Sequence, residues 1–165
     1  MKTIFIIILV AICCRGFSQG YDNNWVFGDS AGLSFNTGEP VSFESSMLTF
    51  EACASISDST GNLLFYTNGE KVWNKNHELM QNGDSLHLGG LTLFGSNYTQ
   101  GVIILPYPEN ENLYYIFYLT DYVVPEDNFG IEYSIVDMEL DGGLGAVTEK
   151  IWRFMKLALL KNYRR

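Results

Sequence analysis

The chain has 165 residues, with 19 Asp and Glu against 10 Lys and Arg, for a formal net charge of −9. The charge is unevenly spread: residues 19–150 hold all 19 acids and only Lys71, Lys75 and Lys150, a balance of 3 − 19 = −16. A body this acidic repels nucleic acid and anionic surfaces, which excludes nucleic-acid-binding functions.

The chain opens with Met1-Lys2-Thr3, an apolar run from Ile4 to Cys14, and small residues at Gly16 and Ser18. That is the pattern of a secretory signal peptide, spanning residues 1–18, with cleavage after Ser18 and Gln19 as the mature N-terminus. The run is shorter than the roughly 20 apolar residues that a membrane span needs, so no span is expected once the leader is removed. A lipoprotein signal at Cys13 or Cys14 fits less well, because small residues do not precede them. Cleavage leaves 165 − 18 = 147 residues, enough for one modest domain. It also leaves Cys53 as the one remaining cysteine, expected as a small buried hydrophobe rather than a nucleophile or ligand.

Beyond the leader, alternating apolar and polar positions, β-branched and aromatic residues, and Gly/Asn/Asp/Pro turns predict an all-β fold of antiparallel meanders. The clearest unit has strands over 54–57, 63–67 and 71–74. Its first turn is set by Asp58, which can bond its own backbone, and by Gly61, which tolerates positive φ; its second turn is Asn68-Gly69. A second unit has strands over 101–105, 113–119 and 131–138, with a turn over 106–110 and an acidic loop over 125–128. Short fourth strands are expected at 91–94 and 145–148. Aligning Ala54 with Val102 gives a repeat of 48 residues, within the range of propeller blades. The fold expected is a partial β-propeller of about two blades over 19–150; a β-sandwich is the alternative.

Several segments in order resemble the N-terminal region of large secreted Bacteroidetes surface proteins that carry a type IX secretion or gliding-motility-associated sorting domain. They include Asn23-Asn24-Trp25-Val26-Phe27-Gly28, Cys53-Ala54-Ser55-Ile56-Ser57-Asp58, Gly61 to Gly69, Val72-Trp73-Asn74-Lys75-Asn76-His77, Tyr133 to Met138 and Gly142-Gly143-Leu144-Gly145. The resemblance spans about residues 22–150 and implies a propeller-like region on an exported surface protein, with no catalytic residues to carry over. Residues 151–165 depart from it: they contain no acid and five bases. This basic tail is expected either to be out of frame, through a lost base near codon 150 that would leave the chain a truncated fragment, or to form an amphipathic helix.

Catalytic motifs are present only as spellings. Gly28-Asp29-Ser30-Ala31-Gly32 fits G-x-S-x-G, Gly83-Asp84-Ser85-Leu86 spells the esterase block, and Asp84 with His87 has the spacing of its base pair. A nucleophile elbow needs a strand-to-helix turn, and no amphipathic helix follows Ser30 or Ser85. His77 and His87 sit in no metal-ligand spacing. Glu126 and Asp127 are weak calcium candidates in a solvated loop, and Trp25, Trp73, Tyr114, Tyr115 and Tyr118 are candidates for sugar stacking whose default is core packing. No cofactor is expected. The expected function is a non-enzymatic binding or adhesion module, secreted or at the cell surface, taking an extracellular glycan or protein. A secreted serine esterase or glycan-active propeller enzyme is the alternative.

Overall fold

The computed structural model of the chain describes residues 20–86, 98–121 and 129–156. The signal cleavage site at Ser18 and Gln19, His87, the strand expected over 91–94, and the loop carrying Glu126 and Asp127 all lie outside the described residues.

The fold is all-β: among the described residues there are three antiparallel meander sheets with only short 3-10 turns beside them. The first sheet contains β1 (Asn24–Phe27), β2 (Asp29–Ser34) and β3 (Val41–Leu48). The second contains β4 (Ala54–Ser57), β5 (Leu63–Thr67) and β6 (Val72–Asn74). The third contains β7 (Val102–Tyr107), β8 (Asn110–Asp121), β9 (Phe129–Asp137) and β10 (Ala146–Lys156), in the spatial order β10-β9-β8-β7. Among the described residues, no helix is long and apolar enough to cross a membrane.

Strand alternation explains how the sheets stack, because successive side chains leave opposite faces of a strand. In the second sheet Tyr66 pairs with Ser55 and Trp73, while Phe65 pairs with Ile56. Tyr66 and Trp73 pack with Val26 and Met47 of the first sheet. Phe65, Ile56 and Val72 pack with Ile104, Tyr114, Ile116, Tyr118, Val136 and Val147 of the third. The second sheet is therefore covered on both faces, with all of β6 and the last three residues of β5 buried. Phe65 and Tyr114 meet edge to face at 5.5 Å across one junction, and Tyr66 and Trp73 stack at 5.6 Å at the other.

A polar clasp ties the first sheet to the second. Asn24 Nδ2 donates to Ser57 Oγ and to the Gly61 carbonyl, Asn36 Nδ2 donates to the same carbonyl, and Ser55 Oγ donates to the Asn24 carbonyl. Gly61 has φ +92°, and an added Cβ there would sit 2.2 Å from Asn36 Oδ1, so both conformation and space demand glycine. The outer edge of the second sheet is covered by the segment after β6: Met80 N–H donates to the Val72 carbonyl, Val72 N–H to the Gly83 carbonyl, Gly83 N–H to the Met80 carbonyl, and Leu86 N–H to the Glu70 carbonyl.

Three differences from the sequence expectation have physical causes. The strands predicted at 54–74 and 101–138 form the second and third sheets, but a further meander, β1–β3, precedes them. Its β3 reads Val41-Ser-Phe-Glu-Ser-Ser-Met-Leu48, where short polar residues dilute the alternation. The 48-residue spacing holds between the starts of β4 and β7, yet the third strands β6 and β9 start 129 − 72 = 57 residues apart. Last, the tail does not turn helical at 151: β10 runs on through Lys156, pairing Ile151 with Tyr133 and Met155 with Ile131. The ladder slips between those two pairs, where three residues of β10 are set against one of β9.

Candidate functional site

The predicted turn residues organise the second sheet. Asp58 Oδ1 accepts from Thr60 N, Thr60 Oγ1 and Asn62 N at 2.7–2.9 Å, and Oδ2 accepts from Asn62 Nδ2 at 2.9 Å. Partial burial pushes this carboxyl up, but the hydrogen bonds from Asn62 and Thr60 outweigh it and hold it at about 2. The Asn68-Gly69 connection is a four-residue loop, with Thr67 opposite Val72. Asn68 Oδ1 accepts from the backbone of Glu70 and Lys71, Thr67 Oγ1 accepts from Gly69 N–H, and Gly69 takes φ +81°. The side chain of Asn68 thus substitutes for the cross-strand pair that a two-residue turn would have made.

The serine motifs form no catalytic constellation among the described residues. Ser30 lies at the bulged start of β2 with φ +56°, and its Oγ donates to Asp29 Oδ1 at 3.2 Å. The chain continues beyond it as strand, so the serine is not raised on a strand-to-helix elbow. Ser85 is exposed with φ +48° in the segment after β6. Its neighbour Asp84 is engaged by Lys150, whose Nζ lies 2.6 Å from the Asp84 carbonyl and 3.8 Å from Oδ1. Ser30 lies on the central strand of the first sheet and Ser85 in the segment that follows the second.

Of the aromatic candidates, Trp73, Tyr114 and Tyr118 are buried in the core, whereas Trp25 is 53% exposed. Tyr118 OH donates to the Leu86 carbonyl at 2.7 Å, which spends its polar end inside the protein. His77 is half-buried at the first junction, with Nδ1 at 3.1 Å from Tyr66 OH and its ring stacked on Phe43. Cys53 is half-buried beside the same cluster, and burial raises its thiol pKa, which disfavours the nucleophilic thiolate.

A further concavity lies elsewhere, at the tip of the β7–β8 hairpin. Tyr107 pairs with Asn110, but Pro106 pairs with Tyr114, so Glu111, Asn112 and Leu113 have no opposite number on β7. Pro106 has no N–H to donate to the ladder, and the strand bulges at that step. Asn110 Oδ1 accepts from Asn112 N–H, Asn112 O accepts from Met138 N–H, and Asn112 Nδ2 donates to Glu139 Oε1. These bonds fix the bulge. Around it, Tyr21, Pro106, Tyr107, Glu109, Asn110, Glu111, Asn112 and Tyr114 line an open cleft of about 590 Å³. Tyr21 arrives from the N-terminal 3-10 turn (Gly20–Asp22), which is anchored by Gly20 N–H on the Ser59 carbonyl.

The cleft is anionic and aromatic. The phenol of Tyr114 is raised first by burial and then by Tyr21, Asp58 and Glu111, while Glu109 and Glu111 supply the carboxylates of the cleft. Tyr107 stacks on Tyr115 at 4.8 Å, and the hydrogen bond between the two side chains is the first cause of a raised Tyr115 pKa. Such walls offer ring faces for stacking, carboxylates as acceptors, and Asn110 and Asn112 as mixed donors and acceptors. Of its lining residues only Tyr114 was a stacking candidate in the sequence, and the proline inside a strand followed by Asn-Glu-Asn was a further visible signal. No protein-family model, curated protein or solved structure matches the chain.

Proposed function

We propose that the chain is a non-enzymatic binding module of an exported surface protein, and that the cleft at the β7–β8 tip takes a neutral or amine-bearing glycan. The observation that carries this reading is the cleft itself, where three tyrosines, two glutamates and two asparagines converge on one concavity. Carboxylate acceptors favour sugar hydroxyls and ammonium groups and repel sulfated or uronate chains, and the half-buried rings of Tyr21 and Tyr107 suit stacking on pyranose faces. The leader-like N-terminus and the resemblance to secreted Bacteroidetes proteins support an extracellular setting. We further read the three stacked meanders as consecutive blades of a β-propeller; the same up-and-down topology in each and the 48-residue spacing of β4 and β7 support that reading. A glycan array probed with the exported chain tests the ligand class. Binding to neutral or glucosamine-type glycans, absent on sulfated ones and lost in Tyr107→Ala, supports the proposal; preference for anionic glycans contradicts it.

A further inference from the structure

Two of the buried tyrosines spend their hydroxyls inside the protein. Tyr66 Oη accepts from Ser46 N–H at 3.0 Å and meets His77 Nδ1 at 3.1 Å, and Tyr118 Oη donates to the Leu86 carbonyl at 2.7 Å. Tyr114 differs. It is only 4% exposed, yet its hydroxyl makes no hydrogen bond among the described residues. Its ring meets Phe65 edge to face at 5.5 Å, which fixes the ring in the core. The hydroxyl end reaches the cleft at the β7–β8 tip: Tyr114 lines it, and Tyr21 and Glu111, which line it too, both act on the phenol. A buried polar group without a partner is costly, so one aimed into a cleft marks the place where a ligand supplies the missing bond.

We propose that the Tyr114 hydroxyl and the Glu111 carboxylate together take the ammonium group of an amino sugar, so that a glycan bearing free amines is the preferred ligand of the cleft. This inference rests on the reading of the cleft as a glycan site and names the group it selects. The lining offers the carboxylates of Glu109 and Glu111 and contains no Lys, Arg or His. Burial first, and then Tyr21, Asp58 and Glu111, hold the Tyr114 phenol above its ordinary pKa of 10.0, so it is a neutral hydroxyl whose oxygen is free to accept. An ammonium group donates to both oxygens in charge-assisted bonds, and the rings of Tyr21 and Tyr107 add cation–π attraction. A sugar hydroxyl in the same place brings no charge to set against Glu111. An acetylated amine brings none either and keeps a single N–H, so both gain less from the same pair.

Isothermal titration of the exported chain at about pH 6, where the carboxylates are ionised and glucosamine is protonated, tests it with hexamers of glucosamine, N-acetylglucosamine and glucose. The glucosamine hexamer is expected to bind at least about tenfold more tightly than either neutral hexamer. Tyr114→Phe, which removes the hydroxyl alone, and Glu111→Gln are each expected to bring that ratio down to about threefold or less. Because the hydroxyl has no partner inside the protein, Tyr114→Phe is also expected to leave the urea midpoint of the free chain unchanged or higher. A lower midpoint overturns the inference, since the hydroxyl would then serve the fold. Equal affinity of the wild type for all three hexamers, or a ratio kept in either variant, overturns it and leaves the glycan reading standing. Binding to none of the three overturns both. Displacement of the glucosamine hexamer by tetralysine at lower concentration than by free glucosamine hexamer assigns the cleft to a basic peptide, and that also overturns it.

Discussion

Replacing Asp58 by Ala isolates one carboxylate whose contribution has a defined pH signature. In the folded chain its two oxygens accept four hydrogen bonds from Thr60 and Asn62, and its pKa falls from 3.8 to about 2. One pKa unit corresponds to about 1.4 kcal/mol, so the shift sets a ceiling of about 2 kcal/mol. The turn is partly open to water, which replaces some of the lost acceptors, and the expected loss for Asp58→Ala is therefore about 1–2 kcal/mol at pH 7. A folded-state pKa below the unfolded one stabilises the fold above the unfolded pKa, near 4, and that stabilisation fades as pH falls through about 2. Urea denaturation followed by tryptophan fluorescence, at intervals from pH 7 to pH 2, measures the gap between wild type and variant. The gap should be constant from pH 7 to about pH 5 and shrink markedly between about pH 4 and pH 2. A gap as large at pH 2 as at pH 7, or none at any pH, would refute the assignment of the stabilisation to the ionised carboxylate.

The same packing sets further expectations. Gly61→Ala sets a side chain at φ +92° against Asn36 and Asn23, and should cost about 2 kcal/mol or more in thermal or urea unfolding while loosening the clasp between the first two sheets. Phe65→Ala empties the centre of the second junction, where Phe65 is fully buried against Tyr114, and should cost about 3–5 kcal/mol by the same assay. A fluorophosphonate probe should label neither Ser30 nor Ser85, since Ser30 Oγ bonds only its neighbour Asp29 and Ser85 is an exposed loop serine; mass spectrometry of the treated chain checks this.

The β4–β6 meander was legible because its signals are local and agree with one another. Asp58, Gly61 and Asn68-Gly69 fix the turns, and Leu63-Leu64-Phe65-Tyr66-Thr67 has the β-branched and aromatic content of a buried strand. The first sheet was not legible as strands. Ser42, Glu44, Ser45 and Ser46 give β3 little apolar alternation, and the burial of Met47 against Tyr66 and Trp73 comes from residues further along the chain. The fate of the tyrosines was also hidden. Tyr114 and Tyr115 are adjacent in sequence, and only the register with β7 and β9 sends one into the core and leaves the other stacked on Tyr107. The cleft was the least legible feature of all, because it depends on a bulge between Pro106 and Tyr107 and on Tyr21, which lies more than 80 residues earlier.

The central claim, binding without turnover at the β7–β8 cleft, is tested most directly by isothermal titration with cellohexaose and with a glucosamine hexamer, followed by chromatography of the recovered sugar. The account predicts saturable binding to at least one of them, abolished by Tyr107→Ala and weakened by Glu109→Gln/Glu111→Gln, with the oligosaccharide recovered intact. Release of shorter sugars, or binding unaffected by Tyr107→Ala, would contradict it.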